Sequence, residues 1–469
     1  MKRALLPAYV LACSAVAFAQ TSLPAVLQTK VDAAVHEVLT KTSVPSASVG
    51  IVQEGRIVFT KAYGFARLKP SMPATPDLHY AVGSISKQFT AACLLLLQQD
   101  GKLSIDDPVG KYFPGLTRAN DVKIRNLLSH TSGYEDYAPQ DYTIPAWTTP
   151  TSAEKVVSEW ATKPLDFEPG SQYQYSNTNF NIAGLIVEQV SGEPFWTFLS
   201  RRVLGPLGMT HTIDLDTQHD QLEPTGYMRN ALGPLRPAIM EAPGWYFADG
   251  EMAMPIGDLL TWDISVMNRS LLAPASYAAM ETDQRLTNGM TAHYGLGVSL
   301  SMSNGHRLVS HGGEVGGFVA QNMIFPDDKI AVAVLTNQEA STAAGSIARA
   351  ISTLVLASVR RTNAAPGDAD AAAAQAKQIV ADLQKGQIDR ALLTPNCNFY
   401  FSQTSLDDHR TSLEPLGAVQ SVTQTDTSLR GGMTFRSFTM TFANGTQLRL
   451  TTYTTRDGRL EQFLIEPMA

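Results

Sequence analysis

Apolar residues at helical spacing run from about Leu23 to Thr40. They give way to the alternating stretch "SASVGIVQEGRIVFTKAYGFA", Ser46 to Ala66, which predicts two strands around a turn at Glu54-Gly55. A nearly unbroken apolar run then predicts a buried helix from Ser84 to Gln99, ended by Asp100-Gly101. Residues 103–270 read mostly as helix and loop. Alternation returns between residues 293 and 338, with hairpin turns at Asn304-Gly305 and Asp327-Asp328, and a helix of small and apolar residues follows from about Ala343 to Val359. Strands at both ends of one region, with helices between, predict an α+β fold: an antiparallel sheet assembled from distant segments, flanked by helices and joined to a mostly helical region.

The patterning fails at "RRTNAAPGDADAAAAQAK", where Pro, Gly and Ala replace periodic apolar residues. This marks a linker, 361–375, running into a helix, so the first large domain is expected to span 20–360. Residues 376–469 predict a small α+β domain: one helical segment, then strands joined at Asn444-Gly445 and Asp457-Gly458. Its element order resembles nuclear-transport-factor-like and cystatin-like modules. Capping a cleft, forming a homo-oligomer and binding cell-wall material are the roles open to it.

Length and composition agree with two domains, since 469 residues at 44% hydrophobic content can bury a large core. Lys2 and Arg3, the apolar "ALLPAYVLACSAVAFA" and the small-residue pattern Ala17-Phe18-Ala19 predict a signal peptide, residues 1–19, and hence a periplasmic or secreted protein. The minor alternative takes "VLAC" as a lipobox that anchors the chain through Cys13. No other apolar run approaches the ~20 residues that span a bilayer, so no membrane span is expected in the mature chain. The formal charge of −7, more negative once Lys2 and Arg3 are removed, argues against nucleic acid or anionic membrane partners. Cys93 and Cys397 fall in different predicted domains, which argues against a structural disulfide. His36-Glu37 begins a zinc motif, but Thr40 stands where the second histidine is required, so no metal is implied. The lack of Gly-x-Ser-x-Gly argues against an α/β-hydrolase.

Ser84 and Lys87 lie three apart at the start of the buried helix, on one face. A serine hydroxyl is a weak nucleophile that needs a base, and a lysine serves only when burial or neighbouring cations lower its pKa. The same spacing recurs at Ser152 and Lys155 in "PTSAEKVVSEW", where Thr151 and Glu154 fit a capping box and Lys155 falls on a solvated face. Spacing alone therefore leaves Ser84-Lys87 open between a catalytic pair and a helix cap with a surface lysine. The apolar helix favours the catalytic pair.

Two further motifs accompany only the first match: Tyr175-Ser176-Asn177 in "QYQYSNTNFNIAG" and His311-Gly312-Gly313 in "VSHGGEVGGF". With "IRNLLSHTSGY", "GKLSIDDPVGKYFP", "FEPGSQYQYSNTNF", "PLGM" and "HYGLGV", the chain resembles the serine β-lactamase and penicillin-binding protein superfamily, in its class C, D-aminopeptidase and esterase-like branch, over roughly residues 30–355. The resemblance implies a β-lactamase/transpeptidase-like fold in which Ser84 is acylated, Lys87 relays its proton and Tyr175 is the base on the opposite wall, where nearby polar groups favour phenolate character. It also implies that Asn177 holds Lys87 and the substrate carbonyl, that Gly313 lets substrate lie along a strand edge, and that the amides of Ser84 and Glu314 form the oxyanion hole.

His311 departs from the lysine common in this motif among β-lactamases and transpeptidases, which weakens carboxylate recognition and fits the esterase and aminopeptidase branch. Outside the motifs, His130 reads as a structural hydrogen-bonding residue, while Tyr134, Tyr137, Phe167 and Trp245 either line the cleft or pack. The expected function is an exported, cofactor-free serine hydrolase that acts on small esters or on peptides and amides containing D-amino acids. The alternatives are a β-lactamase or D,D-carboxypeptidase and, in another class, a penicillin-recognising sensor with little turnover.

Overall fold

The computed structural model describes residues 22–358, 368–430, 433–455 and 457–468. The expected signal peptide, Cys13 and the first part of the expected linker lie outside the described residues. Helix α1 (Ala25–Thr42) buries Leu27, Val31 and Val35, one residue per turn on one face, and stops at Ser43, whose left-handed φ of 59° lets its N–H close on Leu39 O. Strands β1 (Ser46–Gln53) and β2 (Arg56–Arg67) pair antiparallel across Glu54 and Gly55, both at positive φ, as a tight hairpin requires.

The strands predicted near the other end of this region complete the same sheet. β3 (Met72–Pro73), β4 (Ser299–Ser303), β5 (His306–Val315), β6 (Phe318–Phe325) and β7 (Ile330–Thr336) join β1 and β2 in the order β3-β2-β1-β7-β6-β5-β4. The closing pair is β1 with β7, Val49 opposite Val334, and beside it Ser46 donates through both N and Oγ to Asn337 Oδ1 at 2.9 and 2.7 Å. Residues 46–52 of β1 are all buried, so helices cover both faces of this strand. One cover is α6 (Ile256–Asn268): a side chain at Gly50 would lie 2.5 Å from Leu260 Cδ1, so only glycine lets the helix approach this closely.

The helical region lies between β3 and β4. Helix α2 (Ser86–Gln99) is buried at every residue from Ser86 to Leu97 and packs against α5 (Asn177–Ser191), itself buried from Thr178 to Val187. It begins two residues later than its sequence predicts, because Gly83 at φ 51° feeds a 3₁₀ turn, Gly83–Ile85, that carries Ser84. The short α3 (Ile124–Leu128) leads into the loop that holds His130. Helix α4 (Ala153–Trp160) is capped by Ser152, whose Oγ accepts from Lys155 N at 3.3 Å, and not by Thr151 as the capping-box pattern suggested; only Ser152 combines extended backbone with an oxygen over that amide. Lys155 is exposed, as expected of a surface residue.

The chain divides into two compact units: the first ends at Leu356, near the end of α7 (Ala343–Ser358), and the second takes the chain beyond it together with Ser301–Arg307. In the second, α8 (Asp368–Leu383) begins inside the expected linker, since the alanine run has the highest helix propensity of any residue type. Its stripe Ala376, Ile379, Val380 and Leu383 is buried with Phe438, Met440, Phe442, Leu450 and Phe463. Those sheet residues belong to β9 (Met433–Phe442), β10 (Gln447–Thr454) and β11 (Leu460–Pro467), which with β8 (Val419–Arg430) form an antiparallel meander in chain order. Cys93 and Cys397 are buried free thiols, and no helix among the described residues is long and apolar enough to cross a membrane.

The two serine-lysine matches thus have different physical settings. Ser152→Ala is expected to lower stability by about 1 kcal/mol through loss of the cap, while Lys155→Ala stays within about 0.5 kcal/mol. Urea or thermal unfolding of the two variants measures this.

Candidate active site

The 3₁₀ turn leaves Ser84 partly exposed at the floor of a cleft of about 820 Å³ and puts Lys87, one turn into α2, behind it with no exposure at all. An ammonium has three N–H bonds to give, and all three of Lys87 are taken: by Ser84 Oγ at 2.9 Å, Asn177 Oδ1 at 2.8 Å and Asp249 O at 2.9 Å. Burial lowers its pKa from 10.5 to about 8, against the opposing pull of Asp249 and Asp136. At neutral pH a minor but useful fraction of Lys87 is therefore an uncharged amine in contact with the serine.

Asn177 is the first residue of α5. Since its Oδ1 faces an ammonium, its NH₂ faces the Asp136 carboxylate, 3.2 and 3.4 Å from the two oxygens. Asp136 Oδ1 also accepts from Asn177 N at 2.9 Å, supplying the helix N-terminus with the cap that Ser176 does not give. Tyr175 stands one residue earlier, its ring centroid 5.1 Å from Lys87 Nζ. Burial drives its pKa well above the usual phenol range, and the facing Ser84 hydroxyl only partly offsets this. The resting phenol is neutral, and the phenolate character expected from its polar neighbours is not present: the nearest charges besides Lys87, Asp249 and Asp136, act against it.

Strand β5 forms the opposite wall. Because β4 is only five residues long and joined by a two-residue turn, it flanks just the first half of β5, and the edge beyond His311 lies against residues 82–84. A side chain at Gly313 would meet Val82 O at 1.8 Å and Ser84 N at 3.1 Å, while one at Gly83 would meet Glu314 N at 2.8 Å. The two glycines thus bring the Ser84 and Glu314 amides to either side of one narrow gap, the arrangement an oxyanion requires.

His311 is buried and its tautomer follows from its partners. Gly312 O can only accept, so Nδ1–H donates to it at 2.5 Å, and Nε2 accepts from Tyr294 O–H at 2.7 Å. Burial and Lys87 hold its pKa at about 4, so it stands as a neutral ring where a lysine would carry charge.

Ser84, Tyr175, Asn177, His311, Gly313 and Glu314 all line the same cleft, with Lys87 beneath Ser84. Tyr137 and Trp245 line it too, while Tyr134 is buried with its hydroxyl on Thr117 O. Sequence reasoning missed Asp249, which lies in "FADGEM" with no pattern to mark it, Asp136, two residues beyond "IRNLLSHTSGY", and Tyr294, which sits inside "HYGLGV" but outside the motifs. Tyr137 has a single proton. Its O–H faces two acceptors, Trp245 O at 2.5 Å and Asp249 Oδ2 at 2.8 Å, and is shared between them. Burial pushes the Asp249 pKa up to about 7, against the lowering effect of Lys87 and of this hydrogen bond. Among the described residues, six acidic side chains line the cleft, Asp136, Asp141, Glu241, Asp249, Glu314 and Glu339, against one basic side chain, Arg349.

The family described as Beta-lactamase matches residues 31–356. A D-aminopeptidase of Brucella anthropi is 28% identical over 306 residues, 63% of this chain and 56% of that protein, so the chain spans less than two thirds of this relative's length. A D-stereospecific amidohydrolase from Streptomyces superposes with a TM-score of 0.57 at 26% identity, over 67% of this chain and 96% of that one. The octameric penicillin-binding protein homologue from Pyrococcus abyssi, at 20% identity, shares the fold over 93% of this chain and 99% of its own, with a TM-score of 0.61.

If Lys87 takes the serine proton as a free amine, labelling of Ser84 by a fluorophosphonate accelerates as pH rises and levels off above about 8. Stopped-flow or gel-based labelling between pH 6 and 10 reads this out. A flat profile contradicts it, and Lys87→Met should abolish labelling while leaving the fold intact.

Proposed function

The chain belongs to the Beta-lactamase family, and from that premise we propose that it is a serine hydrolase that cleaves amides, and related esters, of amino acids or short peptides with a free amino group, of D configuration. The observation that carries this reading is the charge balance of the cleft: six acidic side chains against Arg349, with a neutral His311 where a lysine would carry charge, favour an ammonium over a carboxylate. The D-aminopeptidase and the D-stereospecific amidohydrolase to which the chain is similar support the stereochemistry.

Neutral Lys87 takes the Ser84 proton as the hydroxyl attacks the acyl carbon, and the Ser84 and Glu314 amides receive the oxyanion. The neutral Tyr175 O–H, facing Ser84, then gives its proton to the departing nitrogen and recovers one from Lys87. Water repeats the sequence to free the acid. Glu314 flanks the gap on the substrate side; its Oε1 accepts from Ala340 N at 2.6 Å, and burial among Asp141, Glu339 and Glu241 pushes its pKa up to about 7. An arriving ammonium draws that proton off and pairs with the carboxylate. Substrates defined by a carboxylate, as in β-lactam and D,D-carboxypeptidase chemistry, meet repulsion instead.

We place the protein outside the cytoplasm, on the strength of the N-terminal signal pattern, and read the second unit as an assembly element, a reading the described octameric homologue supports.

D-Alanine and D-phenylalanine p-nitroanilides should turn over, and their N-acetyl forms should lose roughly ten- to a hundredfold in kcat/KM, the worth of a charge-assisted contact. Glu314→Gln should erase most of that difference without matching loss on p-nitrophenyl acetate. Equal rates on free and acetylated amines would refute the ammonium reading, and turnover surviving Ser84→Ala would refute the acyl-enzyme.

A further inference from the structure

Tyr175 is held from three directions by one residue outside the three motifs. His130 is fully buried on the loop after α3. Its carbonyl accepts from Gln174 N at 3.0 Å, and its Nδ1 accepts from Ser176 N at 3.1 Å, so the same residue grips the backbone on both sides of Tyr175. Between these two bonds the imidazole stacks on the Tyr175 ring, centroids 4.1 Å apart and planes 29° from parallel. To do this His130 adopts a left-handed φ of 55°, a conformation a non-glycine residue keeps only when its surroundings impose it. Tyr294, whose hydroxyl is spent on His311, packs edge-on against the His130 ring, centroids 4.9 Å apart.

Because Nδ1 accepts an amide proton, the imidazole proton is on Nε2, and Nε2 is buried with no partner among the described residues. A histidine kept only for hydrogen bonding would satisfy both nitrogens. An asparagine would supply the same acceptor without leaving a donor stranded. What the ring adds is its flat face, and that face is on Tyr175.

We propose that His130 is the positioning residue for Tyr175: it sets the place and plane of the phenol that passes the proton between Ser84, Lys87 and the leaving group. This rests on the role given to Tyr175 above. His130 makes no contact with substrate and carries no charge in the working range; burial beside Lys87 and His311 holds its pKa well below the ordinary histidine value.

Two variants divide its functions. His130→Asn keeps an acceptor near the Nδ1 position and loses the ring, while His130→Phe keeps the ring and loses the acceptor. With p-nitrophenyl acetate and D-phenylalanine p-nitroanilide, and with active sites counted by fluorophosphonate endpoint, each should lose roughly ten- to a hundredfold in kcat while KM stays within about twofold. In a Tyr175→Phe background the same substitutions should cost less than about twofold, since the group they position is gone. A residue that only stabilises the fold would lower the number of active sites and the unfolding midpoint, leaving kcat per site unchanged. Unchanged kcat in both variants, or an undiminished effect in the Tyr175→Phe background, overturns the proposal. If circular dichroism shows that one variant is unfolded, the other decides, with His130→Gln as its replacement. Wild-type turnover that Ser84→Ala fails to reduce is a different result: it removes the reading of the site itself, and the role of His130 with it.

Discussion

The constraint on which the site depends is the burial of one ammonium group. A lysine charge withdrawn from water costs several kcal/mol unless every N–H is matched, and Lys87 is matched three times over. Its acceptors come from the 3₁₀ turn that leads into its helix, from the start of α5 and from the backbone at residue 249. Each must be in place for the others to be affordable, so the floor of the cleft, the packing of α2 on α5 and the cap that Asp136 gives α5 form one arrangement. The same burial that endangers the charge lowers its pKa to about 8, which makes it a usable base. Stability and reactivity here have one cause.

Around that cation the cleft is arranged by proton inventory as much as by charge. Tyr137 has one proton and shares it between Trp245 O and Asp249; His311 is locked neutral between a carbonyl and a hydroxyl; Tyr175 stays a phenol. The resting site therefore holds its proton donors loaded. Only the outer wall, where Glu314, Glu339 and Glu241 crowd together, is left to respond to the charge of whatever enters.

Much of the architecture was legible because it is written in local periodicity. The alternation at 46–66 and 293–338, with its Glu54-Gly55 and Asn304-Gly305 turns, is a statement about neighbouring residues, and both hairpins form as read. The motifs carrying Ser84, Tyr175 and His311 were visible because each is a short string. Asp249 was not: its carbonyl matters only through Lys87, 162 residues away, and nothing in its own neighbourhood marks that. Nor could sequence weigh the charges. Tyr175 beside Lys87 suggested a phenolate, but the desolvation that decides the matter belongs to the finished core. Helix α8 starts at Asp368, within the stretch read as linker, for a simpler reason, since an alanine run lacks hydrophobic rhythm and still prefers to be helical.

The sequence separations across the Lys87 acceptors, 3, 90 and 162 residues, also describe a folding problem. Ser84 and Lys87 come together as soon as one helical turn forms, but the acceptors that make the pair reactive arrive only after long loops have closed, the slow part of any folding reaction. Until then the lysine is solvated and keeps an ordinary basicity, so the serine beside it is no better than any other. A nascent or partly unfolded chain therefore carries the complete motif in an inert form, and reactivity toward acyl groups appears late and together with the native core.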